Sequence, residues 1–169
     1  IRGTPLPADA DLILLPGSKS TIADLAALRT EGWDIDITAH ARRGGHVLGL
    51  CGGYQMLGKL IDDPEGIEGP AASVPGLGLL DVTTTLAPVK TLAKRHGVDR
   101  ERGAQVDGYE IHMGQTEGPD TARGWLSISK ADAGARSATG RVSGCYLHGL
   151  FASDAFRAQF LARFGKVSD

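Results

Sequence analysis

The chain has 169 residues, with 18 Lys and Arg against 20 Asp and Glu for a net charge of −2, and is 41% hydrophobic and 22% charged. That is enough for one domain with a sizeable core and too ordinary a composition for a disordered or fibrous chain. The basic residues are scattered in short groups such as Arg42-Arg43, which excludes a nucleic-acid footprint, and neither a membrane-spanning apolar run nor a signal-peptide pattern is seen.

The first predicted element is the apolar run Asp11-Leu12-Ile13-Leu14-Leu15, closed by Pro16-Gly17-Ser18. It suits a strand buried on both faces of a parallel sheet. Residues 21–29 carry apolar side chains at helical spacing, with Ser20 or Thr21 as N-cap, and residues 34–43 form a second helix stopped by Gly44-Gly45. A second strand follows over 47–50, then Cys51-Gly52-Gly53, then a helix to about Asp62. Strand, helix, helix, strand, helix is the order of an α/β domain with a mostly parallel sheet flanked by helices. Residues 64–78 are rich in Gly, Pro and Ala without a period and read as a loop. Strands are expected over 79–86, 106–113 and 141–147, with 125–129 pairing antiparallel at a sheet edge. The last helix runs over 153–164, with Ser153 as N-cap and Gly165 as its stop.

The chemistry centres on Cys51. A strand that turns sharply into a helix holds its apex residue in a tight conformation, and small neighbours are needed there. At a helix start, free N–H groups and the macrodipole favour a thiolate. A nucleophilic cysteine needs a base, and five histidines are available. His40 and His96 lie in polar stretches and read as surface residues, while His46 sits at the far end of its strand. His112 and His148 each follow an apolar run and precede a glycine or Met-Gly. Ligands collect at the carboxyl ends of parallel strands, so Cys51 and His148 belong on one rim. Oxyanion donors are the N–H of Gly52 and the turn at Gly17, and Gln55 lies one helical turn after Cys51. The Lys19-Ser20 pair invites a phosphate-loop reading, but Ser18 separates Gly17 from Lys19 and strand sequence occupies the place of the first glycine, so nucleotide binding is rejected. Cys145 reads as a packing residue. Two distant cysteines make neither a disulfide framework nor a zinc motif, which fits a reducing, cytoplasmic setting.

Gly49-Leu50-Cys51-Gly52-Gly53-Tyr54-Gln55 resembles the Gly-x-Cys-x-Gly-x-Gln signature of class I, triad-type glutamine amidotransferases, which have a flavodoxin-like fold. Four blocks together resemble the glutaminase domains of the cobyric acid synthase family: Leu15-Pro16-Gly17-Ser18-Lys19-Ser20-Thr21, Cys51 to Gly58, Gly108-Tyr109-Glu110-Ile111-His112-Met113-Gly114, and Tyr146-Leu147-His148-Gly149-Leu150-Phe151. The resemblance implies that Cys51 attacks the amide of glutamine, that His148 is base and then acid, that Gly17 and Gly52 form the oxyanion hole, and that Gln55 seats the substrate. It implies no cofactor or metal in this domain. The ammonia would pass to an N-terminal synthetase domain that uses ATP and Mg to amidate carboxylates of a corrinoid, cobyrinic acid a,c-diamide, in cobalamin biosynthesis. Opening on Ile1-Arg2-Gly3 without an initiator Met, residues 1–169 read as the glutaminase part of a longer chain, lacking an upstream strand and helix. One departure from the wider class I pattern stands out: the glutamate usual two residues after the histidine is Leu150 here. Either a Cys–His dyad operates or another carboxylate serves, and Glu110 is the candidate; Lys90 is a candidate for the glutamine carboxylate. The alternatives are a glutaminase subunit for lipid II amidation and a catalytically silent scaffold of the same fold.

Overall fold

A computed structural model describes residues 3–165, the side chains of residues 89–91 excepted. In chain order it contains β1 (Leu12–Leu15), α1 (Thr21–Thr30), α2 (Trp33–Arg42), β2 (His46–Leu50), α3 (Gly52–Leu57), β3 (Leu60–Asp63) and β4 (Ala72–Pro75). Two long strands follow, β5 (Thr83–Asp99) and β6 (Gln105–Glu117), then β7 (Leu126–Ile128), β8 (Ala131–Ala133) and β9 (Ala135–Arg136). The chain ends with β10 (Val142–Cys145), β11 (Leu147–His148) and α4 (Asp154–Ala162).

These strands make two sheets. The first has the order β1-β2-β10-β9 and is parallel except at β9, which matches the mostly parallel sheet expected of an α/β domain. The second, β11-β6-β5-β3-β4 with β7 and β8 attached, is antiparallel except where β3 meets β5. Its spine is the β5–β6 hairpin, whose register slips between Thr85 and Lys90. Pro88 falls in that gap, where a residue without an N–H does least harm to the ladder.

Four expectations change. The helix after Cys51 stops at Leu57, not near Asp62, because Gly58 turns extended (ψ 177°) and Lys59 N–H joins Val82 O at 2.8 Å, which starts β3. The loop over 64–78 contains β4, paired antiparallel with β3. The single strand predicted over 141–147 breaks at Tyr146, so that β10 stays beside β2 while β11 joins β6 in the other sheet. A fourth correction concerns His40, which is buried rather than exposed, its Nε2 3.0 Å from His46 O. The final helix keeps its predicted cap, with Ser153 Oγ accepting the N–H of Phe156 at 3.3 Å.

Apolar side chains of α1, α2 and α3 pack around the first sheet, with Leu57, Ile37 and Val47 at most 1% exposed. The opposite side is closed by Phe156 and Phe160 of α4 against Leu48, Trp125 and Leu147. Packing α3 against β1 and β2 is what fixes the position of the residue between β2 and α3.

Candidate active site

Register explains the site before any side chain is considered. Leu15 lies beside Gly49, and Cys145 beside Leu50, so β1, β2 and β10 end level with one another. The residue leaving the middle strand is Cys51. It is flanked by the Pro16-Gly17-Ser18 turn leaving β1 and by Tyr146-Leu147-His148 leaving β10.

Cys51 has φ 52° and ψ −113°, a conformation that L residues rarely adopt and that costs about 1–3 kcal/mol. Its surroundings hold it there. Cys51 N–H donates to Cys145 O at 2.8 Å, and Gly53 N–H donates to Pro16 O at 3.1 Å. A Cβ on Gly53 would fall 2.1 Å from Leu15 O, and one on Gly52 would fall 2.8 Å from Ser18 Cβ. The glycines are therefore required by close approach of α3 to β1. Ser18 N also lies only 2.9 Å from that Gly52 position, so the turn leaving β1 lies against the start of α3.

The His148 ring stands against the same turn. A Cβ on Gly17 would lie 3.1 Å from His148 Cε1 and 3.5 Å from Cys51 Cβ, so turn, thiol and imidazole meet at one point. His148 Nε2 is buried without a hydrogen-bond partner among the described residues. Cys51 Sγ donates instead to Ile111 O, at 3.2 Å. Burial pushes the thiol's pKa up, and the Gly52 N–H beside it only partly offsets this. The helix-start argument for a resting thiolate is thus outweighed: α3 has six residues, and desolvation of the charged form is the larger effect. Ionisation of this thiol calls for a base at the moment of reaction.

Gln55 is 4% exposed and bonded throughout. Its Oε1 accepts from Thr21 Oγ1 at 3.0 Å, and its Nε2 donates to Met113 O at 3.1 Å and Tyr146 Oη at 3.3 Å. It ties α1, α3 and β6 together beneath the thiol. Glu110 does not meet His148 through its carboxylate. One oxygen accepts from Arg95 Nε at 2.7 Å and the other faces His112 Nε2 at 3.1 Å. Burial alone would raise its pKa, but these two partners hold it below the usual carboxylate range. Leu150, at the position of the glutamate usual in the wider class I pattern, is 1% exposed in the α4 core. The Lys90 side chain lies outside the described residues. Cys145 is buried, its thiol pushed up to about 12, which fits a packing role.

A cavity of about 400 Å³ opens at the thiol, lined by Ser18, Lys19, Thr21, Cys51, Gln55, Glu68, His112 and His148 among others. A larger one, about 600 Å³, follows the outer side of β1 and includes neither Cys51 nor His148. Reactive groups, not volume, decide between them. Two residues at the site were missed from sequence. Tyr146 stacks on His112 with ring centroids 3.7 Å apart and hydrogen-bonds Thr116, while Glu68 reaches the cavity from the connection between β3 and β4. The composition of that connection marked it only as a loop, and no spacing within it pointed to Glu68. Among the described residues no group of three or more His, Cys, Asp or Glu is arranged to hold a metal, and no helix is long and apolar enough to cross a membrane.

Residues 1–156 match the model of the CobB/CobQ-like glutamine amidotransferase domain. A cobyric acid synthase of Ruegeria sp. (strain TM1040) is 64% identical over 167 residues, which is 99% of this chain and 35% of that protein. One of Rhodobacter capsulatus is 60% identical, over 96% of this chain and 34% of that protein. The chain thus spans about a third of the length of the curated relatives it matches. Among solved structures, PurLQS from Thermotoga maritima superposes with a TM-score of 0.65 at 18% identity, covering 98% of this chain and 84% of that one. A structure described as a glutamine amidotransferase superposes with a TM-score of 0.62 at 16% identity, over 90% and 78%.

Proposed function

The chain belongs to the CobB/CobQ-like glutamine amidotransferase domain family, and from that premise we propose that it hydrolyses glutamine through a thioester on Cys51 and passes the ammonia to a synthetase region of a longer polypeptide. The observation that carries this reading is the meeting of the strained Cys51, the His148 ring and the Gly17–Ser18 turn at one point.

Each step follows from that arrangement. His148 takes the thiol proton as the sulfur attacks the amide carbon, so the imidazole supplies the ionisation that burial opposes. The carbonyl oxygen becomes an oxyanion beside the N–H groups of Gly52 and the Gly17–Ser18 turn, which are fixed by the backbone and need not reorganise. The imidazolium then returns its proton to the departing nitrogen, the C–N bond breaks, and ammonia leaves a thioester. Water, deprotonated by the same ring, releases glutamate and restores the thiol. Because Glu110 is engaged elsewhere and position 150 is leucine, the chain supports a Cys51–His148 dyad. Gln55 shapes the floor of the cavity through its own hydrogen bonds.

Identity to cobyric acid synthases across nearly the whole chain supports a corrinoid carboxylate as the final acceptor. The ATP and Mg that such an amidation needs then belong to the synthetase region, and this domain contributes nitrogen alone. The reading also favours a cytoplasmic enzyme, in a compartment where two unpaired cysteines stay reduced.

Covalent capture tests the mechanism. An electrophilic glutamine analogue such as a diazo-ketone should add once per chain, at Cys51, and not to the Cys51→Ala variant, as read by intact mass and peptide mapping. Unmodified wild-type protein would overturn the assignment.

A further inference from the structure

The cavity at the thiol carries two opposite charges that the chemistry above does not use. Lys19, in the turn between β1 and α1, and Glu68, in the connection between β3 and β4, both line it. Lys19 is exposed and has no ion-pair partner among the described residues. Glu68 is held in place from both ends. Its backbone N–H donates to the buried Asp63 at 2.9 Å, and its Oε2 accepts the N–H of Ile22 at 2.8 Å. Its Oε1 has no partner among the described residues.

A glutaminase faces a selectivity problem that this pair answers. Side-chain amides occur on every protein surface, and the groups that set free glutamine apart are its α-carboxylate and α-ammonium. Discrimination is strongest where a site carries charged partners that a competitor leaves unmatched. We propose that Lys19 binds the α-carboxylate and Glu68 the α-ammonium of the substrate, making the cavity selective for the free zwitterionic amino acid. The assignment rests on the glutaminase reading, and it adds two positioning residues to it. Lysine's mobile stem lets its ammonium close over a carboxylate already in the cavity, whereas Glu68, anchored at one oxygen, offers the other from a fixed place.

Three amides separate the two contacts: glutamine, glutaramate without the ammonium, and 4-aminobutanamide without the carboxylate. Ammonia release is measured below saturation in the full-length protein. Lys19→Met should lower kcat/KM about tenfold or more for glutamine and glutaramate, chiefly through KM, and leave 4-aminobutanamide within twofold. Lys19→Arg should recover most of the loss. Glu68→Gln, which keeps an oxygen for the Ile22 N–H, should weaken glutamine and 4-aminobutanamide and spare glutaramate. Equal losses on all three amides, or none, would overturn the proposal while leaving the glutaminase reading intact. Wild-type protein that releases no ammonia from glutamine would overturn both.

Discussion

At the scale of single residues, the decisive fact is that Cys51 is a half-buried thiol whose ionisation is governed by desolvation. Burial favours the neutral form, and the Gly52 N–H opposes it only in part. The sign for reactivity follows directly. A raised pKa leaves less thiolate at neutral pH, so alkylation by a small uncharged reagent should still be climbing above the roughly 8.5 of an unperturbed cysteine. The pH profile of iodoacetamide incorporation at Cys51 measures this, and Cys145, 1% exposed, stays out of the reaction. A profile already flat by pH 7 would show a preformed thiolate and an ion pair with His148 in the resting site. What sequence could and could not show is also clearest here. His148 reaches the site from β11 of the other sheet, whereas Gly17 and Cys51 each follow an apolar strand of the parallel sheet, so their shared rim was readable from pattern alone. The partners of Glu110 were not, because a position on β6 does not say which way its carboxylate turns; Arg95 and His112 claim it.

At the scale of elements, the elbow depends on how closely α3 lies on β1. Gly53 is the point of nearest approach, since a Cβ there would sit 2.1 Å from a backbone oxygen, which cannot swing aside as a side chain can. Alanine is favoured over glycine in a helix by up to about 1 kcal/mol. Overpacking against backbone costs about 1–3 kcal/mol and sometimes more, so the steric term wins. Gly53→Ala should therefore lower the melting temperature by several degrees, given about 2–4 °C per kcal/mol for a chain of this size. It should also slow capture of the glutamine analogue, because displacing α3 moves Cys51 with it. A variant with an unchanged melting temperature would show that the contact relaxes freely. Element boundaries were harder to read than elements. The helix after Cys51 ends early because β3 finds partners in β4 and β5, and a window of apolar spacing carries no information about pairing with residues 83–85.

At the scale of the whole molecule, Cys51 and His148 belong to different sheets. The thiol leaves β2 of the parallel sheet, while His148 lies on β11, paired with Tyr109 of the antiparallel one. The chain crosses between them at Tyr146, whose ring packs on Tyr54 from one sheet side and on His112 from the other. The parallel sheet was legible as strand–helix alternation, but the second sheet was not, since β5 and β6 find each other through a hairpin whose register slips around Pro88. The proposed mechanism separates making ammonia from using it: Cys51 and His148 lie at the junction of the two sheets, and the acceptor is proposed to bind a synthetase region of a longer polypeptide. In the full-length protein, Cys51→Ala should therefore abolish amidation supported by glutamine while retaining amidation supported by high ammonium, with the product's added nitrogens counted by mass. Retention requires only that ammonia reach the acceptor from solution. Loss of both activities, in a protein of unchanged melting temperature, would mean that Cys51 also acts in the synthetase reaction, and the division of labour proposed for this domain would fall.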